Sequence, residues 1–433
     1  MREAVLHYLW KFRKLKSQHF ASVDGQHIEI IHPGTHNHHS GPDFLNAKIN
    51  VNGIEWNGHV EIHVNSSEWV KHKHQFDAAY NNVILHIVYT CDQPVFTHSG
   101  IELVQVEIKD LVNENDLKNA LSFIQNANEI PCLSQLSHVD PITIRSQKER
   151  ALFNRLEARH KAIEMDLSNT RNNWEQVTFK MLAKAFGTNL NKHPFERLTE
   201  VLPLNIIQKE GYSPERTEAI LFHYSGLLQG HKTAYAQELT EMSRQFVLKY
   251  PYESLNKAEW KFAAMRPYNF PTVRLAQLAN LIYHERNLFS NMIEARSIPE
   301  LVALLTCKAS EYWDNHFNFN QPSPVTGIKQ TSIDFVHSVI INAVIPILFA
   351  YSRYTQNMDM TERCVDLLEA LPCEKNKLVG NYKKGGVECK SAFDSQALIE
   401  LKNNFCSHKK CLTCSIGINL LKKEKSTTGV KSV

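Results

Sequence analysis

The sequence predicts an α+β protein that begins with a domain of αβββαβ order and continues as a mostly α-helical domain. Two observations support this prediction. Within residues 1–112, short segments alternate apolar and polar side chains with the period of two typical of strands, and turns rich in Gly, Pro and Asn separate them. Beyond residue 112, apolar side chains recur at helical spacing instead, and period-two alternation is almost absent.

The N-terminal domain is predicted to contain a helix, three strands, a second helix, a strand and one further strand. These elements are predicted over residues 2–15, 26–31, 45–51, 59–64, 67–82, 83–90 and 101–111. The dipeptides Asn52-Gly53 and Asn57-Gly58 predict type I′ turns. The segment VILHIVYT at 83–90 is nearly all apolar, which indicates a central strand buried on both faces.

The rest of the chain is predicted to form three further parts. Residues 113–370 form the α-helical domain, whose apolar stripes we interpret as core. Residues 371–420 form a helix followed by a cysteine cluster. Residues 421–433 are polar and basic, which predicts a disordered tail.

Composition limits the class of protein. With 43% hydrophobic and 21% charged residues, the chain is typical of a globular protein. We find no uninterrupted apolar run of 18 residues and therefore expect no membrane partner. The nine cysteines are unevenly spaced, which favours a reducing, cytoplasmic compartment over a disulfide framework. A net charge of +3 neither requires nor excludes a nucleic-acid partner.

Two carboxylates and a histidine form the candidate catalytic site. Asp43 starts a predicted strand, and Glu61 and His63 share one face of the next strand because side chains alternate along it. If these strands pair as a meander, Asp43 approaches Glu61, and the two carboxylates can bind Mg²⁺ or Mn²⁺. Such an ion activates water and polarises a phosphoryl oxygen. His63 would orient the water or stabilise charge on the phosphate.

Further donor side chains crowd around these three residues, and we predict them as accessory site residues. One lies in the loop before Asp43, three lie on the following predicted helix, and one lies in the strand after it: His39, His72, His74, Asp77 and His86. Their imidazoles leave a transition metal open as an alternative to Mg²⁺. The structural alternative is a turn followed by the polar face of a half-exposed sheet.

Two short motifs, Pro42-Asp43 and Glu61-Ile62-His63, lie on predicted elements of αβββαβ order. This combination resembles the PD-(D/E)xK nuclease superfamily over roughly residues 1–90. The resemblance implies a restriction-endonuclease-like domain and metal-dependent phosphodiester hydrolysis, with Asp43 and Glu61 as metal ligands. His63 stands where that pattern has lysine. A literal Glu-x-Lys occurs at Glu107-Ile108-Lys109, but it lies too far along the topology, and we assign it to the wet face of a late strand.

Three cysteines form a second candidate metal site. Cys406, Cys411 and Cys414 follow a predicted helix, and a two-residue spacing lets two thiolates chelate one metal. The pattern is compatible with zinc or, by analogy with RecB-like nucleases, an iron–sulfur cluster; the alternative is three reduced thiols. The candidates for the missing fourth ligand are His408, Cys389 and Cys373.

Several longer stretches resemble an uncharacterised bacterial family, that of the domain of unknown function 2851. They include GPDF at 41–44, GHVEIH at 58–63, RPYNFPTVRLAQLA at 266–279 and CLTCSIG at 411–417. The resemblance spans nearly the whole chain and implies a bacterial cytoplasmic protein without implying an activity. The leading hypothesis is a metal-dependent nuclease or a nuclease-derived nucleic-acid-binding protein. The alternative is a non-catalytic scaffold with a structural metal knuckle.

Overall fold

The computed structural model describes residues 1–37 and 40–427, with side chains as far as residue 422. His39 and residues 428–433 lie outside the described residues. The chain folds into two compact units: unit 1 comprises Met1–Arg150, Gly380–Glu388 and the chain from Leu398 onward, and unit 2 comprises Ala151–Val379 and Cys389–Ala397. The predicted boundary at residue 112 therefore falls inside unit 1, and the predicted C-terminal part divides between both units.

Unit 1 is built on a mixed sheet of seven strands within the described residues. The strands are β1 His19–Ala21, β2 His27–His32, β3 Thr35–His36, β4 Phe44–Val51, β5 Ile54–Asn65, β6 Val83–Thr90 and β7 Gln105–Glu107. Their order is β1-β2-β4-β5-β6-β7, and β3 pairs with β4. The pairs from β1 to β5 are antiparallel, whereas β5, β6 and β7 run parallel. The predicted α+β class, with a strand-rich N-terminal sheet and a helical region after it, is confirmed.

The predicted helix over 67–82 is wrong. Only Glu68–Lys71 forms an α-helix, α2, and two 3₁₀ turns follow at His74–Phe76 and Ala78–Tyr80. The helix ends because Lys73 adopts a left-handed backbone conformation with φ of 64°. Periodicity alone does not reveal such a break, because a single residue in this conformation leaves the apolar pattern unchanged.

One of the two predicted Asn-Gly turns is confirmed. Asn52 and Gly53 both have positive φ, 52° and 91°, and connect β4 to β5 as a type I′ turn requires. The second prediction, at Asn57-Gly58, is wrong because both residues lie inside β5. Gly58 is needed there for a different reason. A Cβ at this position would lie 2.4 Å from Ile84 Cγ2 and 2.6 Å from the Asn82 carbonyl oxygen.

Helices cover the sheet of unit 1. The first helix, α1 Glu3–Lys11, buries Val5, Leu6, Leu9 and Trp10 and packs on β5. Two more helices of unit 1, α3 Glu114–Gln125 and α18 Ser415–Thr427, pack on each other. Helix α18 ends at Thr427 and so includes residues 421–427 of the predicted tail.

Unit 2 is helical, as predicted, apart from the short hairpin of β8 His316–Asn318 and β9 Gln321–Pro322. Its helices are α5 Trp174–Phe186, α6 Lys192–Val201, α7 Leu204–Glu210, α8 Pro214–Tyr224, α9 Ala234–Lys249, α10 Pro271–His284, α11 Leu288–Glu294, α12 Ile298–Leu305, α13 Ile333–Val339, α14 Ile345–Thr355 and α15 Met358–Ala370. Three helices contain a unit boundary: α4 Pro141–Asn169, α16 Lys377–Lys384 and α17 Ala392–Glu400.

One stretch of unit 2 has the length and composition of a membrane-spanning helix. Ile333–Thr355, which joins α13 and α14 through a π-helical turn, is long and apolar enough to cross a membrane by length and composition, with a mean hydropathy of 2.0. Polar residues such as His337 and Asn342 interrupt its apolar run, so it does not meet the criterion of 18 uninterrupted apolar residues. Because 72% of its most apolar window is buried inside the protein, it packs as a core helix.

Candidate metal centre

Helix α1 contributes two donor side chains that the sequence analysis missed. Glu3 and His7 are four residues apart and therefore lie on the same face of the helix. Their ligating atoms and those of Asp43 all lie within 4.8 Å of one another. His7 Nε2 is 3.2 Å from Asp43 Oδ2. The i, i+4 spacing of a carboxylate and an imidazole on the first helix was the signal that could have identified both residues.

Asp43 and Glu61 are held together by reciprocal hydrogen bonds. The backbone N–H of Asp43 donates to Glu61 Oε2 at 3.0 Å, and the backbone N–H of Ile62 donates to Asp43 Oδ2, also at 3.0 Å. The pairing of β4 with β5 is irregular between Phe44 and Ala47, beside this contact. Such bulges often re-aim side chains next to functional sites. The two carboxylates therefore converge, as the meander predicted.

Three histidines form a second group of donors. The ligating atoms of His63, His72 and His74 all lie within 4.8 Å of one another, and His63 Nε2 is 3.2 Å from His72 Nδ1. On a continuous helix, side chains two residues apart point to different sides. The left-handed conformation of Lys73 breaks the helix between His72 and His74 and lets both reach His63.

Glu61 lies between the two groups. Its Oε1 is 3.6 Å from His63 Nε2 and 3.4 Å from His74 Nε2, while its Oε2 faces Asp43. Only 4% of Glu61 is exposed to solvent. Burial, and after it the negative charge of Asp43, raise the pKa of Glu61 to about 9, so without a cation this carboxyl holds a proton at neutral pH.

His63 and His74 are neutral at physiological pH. Burial, followed by the neighbouring imidazoles, lowers the pKa of His63 to about 3, and burial lowers that of His74 to about 4. Neutral imidazole is the form that binds metals. His63 Nδ1 is 2.9 Å from Nε2 of the buried His86, and His86 Nδ1 is 3.3 Å from the Gln105 carboxamide. If His63 binds a metal through Nε2, its Nδ1–H donates to His86, which fixes the orientation of the ring.

The residues present fit divalent cations. Nε2 of His7 and Nε2 of His74 are buried and have no hydrogen-bond partner within the described part of the chain, although each lies near a carboxylate oxygen. A buried nitrogen without a partner carries a free-energy cost that a bound cation would remove. Each group of three could hold one ion, and Glu61 could contact both. Mixed imidazole and carboxylate donors suit Mn²⁺ or Zn²⁺ better than Mg²⁺.

Most of the predicted site residues come together here. Asp43, Glu61, His63, His72, His74 and His86 all belong to this cluster. Asp77 is an exposed residue whose Oδ1 accepts a hydrogen bond from the backbone N–H of Ala79 at 2.9 Å, and so it caps the following turn.

Two other motifs from the sequence have structural roles. The Glu107 carboxylate, at the end of β7, accepts a hydrogen bond from the backbone N–H of Cys91 at 2.8 Å, whereas Lys109 is exposed in the turn after that strand. Arg274 is buried in unit 2, where its guanidinium donates to Gln277 and Asn269 and lies 3.4 Å from the centre of the Phe335 ring.

The three C-terminal cysteines also converge, and the fourth thiol beside them is one that the sequence analysis did not consider. Cys406, Cys411 and Cys414 line one small cavity together with Cys132. Of the fourth ligands suggested by the sequence, Cys373 and Cys389 belong to unit 2, and His408 is exposed. Cys132 stands alone in the sequence, more than 270 residues before the others, so no spacing motif could identify it.

Comparison with known proteins yields one match. The model of a family described as protein of unknown function (DUF2851) matches residues 3–377. No curated protein and no solved structure matches the chain.

Proposed function

This chain belongs to the DUF2851 family, and we propose that it is a metal-dependent nuclease that hydrolyses phosphodiester bonds. The observation that carries the proposal is the convergence of Asp43, Glu61 and His63, in which Asp43 and His63 each belong to a group of three donor side chains that could hold a metal ion. The charge of Asp43 adds to burial in raising the pKa of Glu61, and such perturbed carboxyl groups are found more often at functional sites than elsewhere.

The topology of unit 1 supports a restriction-endonuclease-like assignment. Strands β2, β4 and β5 are antiparallel neighbours, β6 is parallel to β5, and α1 packs on β5. This arrangement follows the αβββαβ order of the PD-(D/E)xK superfamily, with Asp43 beside the start of β4 and Glu61 and His63 on β5. A shared fold does not imply a shared activity, so the proposal depends on the side chains.

Each residue of the cluster has a distinct role in the proposed reaction. Bound divalent ions would polarise a phosphoryl oxygen and lower the pKa of water. Asp43 and Glu61 would hold the ions through their carboxylate oxygens, and Glu61 would have to lose its proton to do so, which would make metal affinity rise with pH. His63 is neutral and packed between two other imidazoles, so we assign it as a metal ligand rather than as a cationic substitute for lysine.

The turn that carries the histidines also offers contacts for a nucleic acid. Phe76 is 71% exposed, and Lys71 and Lys73 are exposed on the same turn as His72 and His74. Lysines at the edge of a site attract phosphates. An exposed aromatic ring can stack on an unpaired base and contribute about 1–3 kcal/mol. We therefore expect single-stranded substrates, or duplexes with frayed ends, to be cleaved in preference to intact duplex.

Metal-dependent cleavage tests the proposal. The full-length protein, stripped with EDTA, is incubated with labelled single-stranded DNA, duplex DNA and RNA in Mn²⁺, Zn²⁺ or Mg²⁺. We expect cleavage with Mn²⁺ or Zn²⁺ and a loss of at least about 1000-fold in Asp43→Asn and Glu61→Gln, because each removes a charged ligand. Glu107→Gln is the matched control, because Glu107 belongs to the literal Glu-x-Lys motif but lies outside the cluster.

Two results would contradict the proposal. The first is cleavage that persists in Asp43→Asn and Glu61→Gln, which would indicate a contaminating nuclease or another site. The second is the absence of cleavage by protein shown by calorimetry to bind Mn²⁺ at this cluster. In that case, nucleic-acid binding that depends on Phe76, measured with Phe76→Ala, would favour the non-catalytic alternative.

A further inference from the structure

We propose that Cys132, Cys406, Cys411 and Cys414 are the four protein ligands of an iron–sulfur cluster of the [4Fe–4S] type. This centre is distinct from the cluster around Glu61 and does not depend on the proposed nuclease activity. All four thiols are buried, and all four line the same small cavity of unit 1. A cube of four irons needs one thiolate for each iron, which these residues supply.

Two distant chain segments are locked together around this cavity. The Arg150 guanidinium donates to the Thr413 carbonyl oxygen at 2.9 Å, and the Lys409 ammonium donates to the Asn128 carbonyl oxygen at 2.7 Å. The backbone N–H of Ser415 donates to the Gln147 side chain at 2.8 Å. These contacts fix the loop that carries three of the thiols against the segment that carries Cys132.

The backbone around the cavity is packed too closely for a larger residue. A Cβ at Gly417 would lie 2.2 Å from the Cys411 carbonyl oxygen, which is a backbone atom that cannot move aside alone. The turn from Cys411 to Cys414 is closed by a hydrogen bond of 3.3 Å from the Cys414 N–H to the Cys411 carbonyl oxygen. The loop therefore has one defined path, as the loop of a metal centre requires.

The spacing of the sulfur atoms favours a cluster over a single ion. Four thiolates on one zinc ion, with Zn–S distances of about 2.3 Å, lie roughly 3.8 Å from one another. Among the described residues, no group of three donor atoms within 4.8 Å of one another includes a cysteine sulfur. No three of the four sulfurs are therefore that close together. A [4Fe–4S] cube holds its thiolates at the corners of a larger tetrahedron.

The cavity lined by the four thiols is small and apolar. Its volume of about 10 Å³ is the space for the centre of about one water-sized sphere. A water molecule needs two to four polar partners, and this lining presents an apolar surface to it. An inorganic cluster bonded to the four sulfurs would need no hydrogen bonds from this apolar lining.

The surroundings of the thiols suit metal-bound thiolates. Three cations nearby favour the thiolate form of the cysteines: Lys402, Lys409 and Arg150. The Tyr382 hydroxyl lies 3.6 Å from Cys406 Sγ and can donate to it. Hydrogen bonds to the sulfurs tune the potential of such clusters.

Metal and sulfide analysis of the full-length protein tests the proposal. The protein is purified without oxygen and, where iron is below stoichiometry, is reconstituted with ferrous iron and sulfide in the presence of competing Zn²⁺. We expect about four irons and four sulfides per chain and a visible absorption that dithionite bleaches. In Cys132→Ser, iron per chain should fall well below the wild-type value, since the cluster loses one of its four thiolate ligands. The matched controls Cys91→Ser and Cys373→Ser should keep the wild-type iron content.

A second variant separates ligation from folding. Tyr382→Phe keeps all four thiols and should keep the iron. Its reduction potential should become more negative, because the Tyr382 O–H donor stabilises the reduced, more negatively charged cluster more than the oxidised one, and the variant loses that stabilisation. Stoichiometric zinc without iron, no retained metal after reconstitution, or Cys132→Ser with wild-type iron content would each overturn the proposal. Unchanged iron in Cys132→Ser would specifically overturn the assignment of Cys132 as a ligand.

Discussion

Replacing Glu61 by glutamine should stabilise the metal-free protein above neutral pH and abolish binding of divalent metal. Glu61 is buried, and its pKa is raised to about 9. A carboxyl with a higher pKa in the folded than in the unfolded chain binds its proton more tightly when folded. Its contribution to stability is therefore complete below pH 4.5 and is lost as the pH rises through about 9.

The pH window from 7 to 8.5 isolates this effect. His63 and His74, with pKa values lowered to about 3 and about 4, act in the opposite direction, but only below about pH 6.5. Each pH unit in the window costs the wild type at most about 1.4 kcal/mol, or about 2 kcal/mol in total. For a unit of this size, that lowers Tm by roughly 4–8 °C. Glu61→Gln has no charge to bury and should lose little of its Tm.

Thermal unfolding with EDTA at pH 7 and pH 8.5, repeated with Mn²⁺, provides the measurement. Mn²⁺ at 100 times its Kd should stabilise the wild type by about 2.7 kcal/mol and leave Glu61→Gln unchanged. Glu55→Gln is the matched control, because Glu55 lies on the same strand with about half of its side chain exposed. Equal losses of Tm in wild type and Glu61→Gln, or equal stabilisation of both by Mn²⁺, would refute the reasoning.

Three further predictions concern side chains that support the two units. His86→Leu should fold and should weaken Mn²⁺ binding about 10–100-fold in calorimetry, because His63 loses the partner that orients its ring; unchanged affinity would contradict that role. Gly58→Ala should lower the free energy of unfolding, measured in urea, by about 1–3 kcal/mol, because the added methyl group would overlap the backbone of Asn82. An unchanged free energy would mean that β6 can shift to make room for it. Glu218→Ala should lower the free energy of unfolding by about 3 kcal/mol in the same assay, because Trp313 and Tyr235 donate to this buried carboxylate at 2.7 and 2.8 Å. A change within about 0.5 kcal/mol, roughly the scatter of neutral surface substitutions, would contradict this stabilising role.

The central strands could be predicted because their patterns are local. Alternation over 45–51 and 59–64, and the apolar run over 83–90, each arise from burial on one or both faces of a strand, and the structure places strands at all three. The edge strands β1 and β3 were missed because two or three residues are too few to establish a period. The break at Lys73 was missed because its cause is a backbone conformation that many residues can adopt.

The candidate site was predictable only where its residues share a strand or follow it closely. Glu61 and His63 are two residues apart on β5, so their common face follows from strand geometry. Glu3 and His7 reach Asp43 because α1 packs against β5, a tertiary contact that the sequence does not encode locally. Cys132 is the extreme case, since it meets its partners only through the return of the chain to unit 1.

That return has a consequence for how the protein is made. The ribosome releases the sheet of unit 1 early, but Cys406 emerges only after the whole of Ala151–Val379 has been synthesised. At about 5–20 residues per second, Cys132 waits roughly 14–55 s for the other three cysteines. Loading of the cysteine centre would then report that translation has passed Cys414. A chain cut short inside unit 2 would keep its sheet and would lack α18, leaving part of the surface under α3 open to chaperones and proteases.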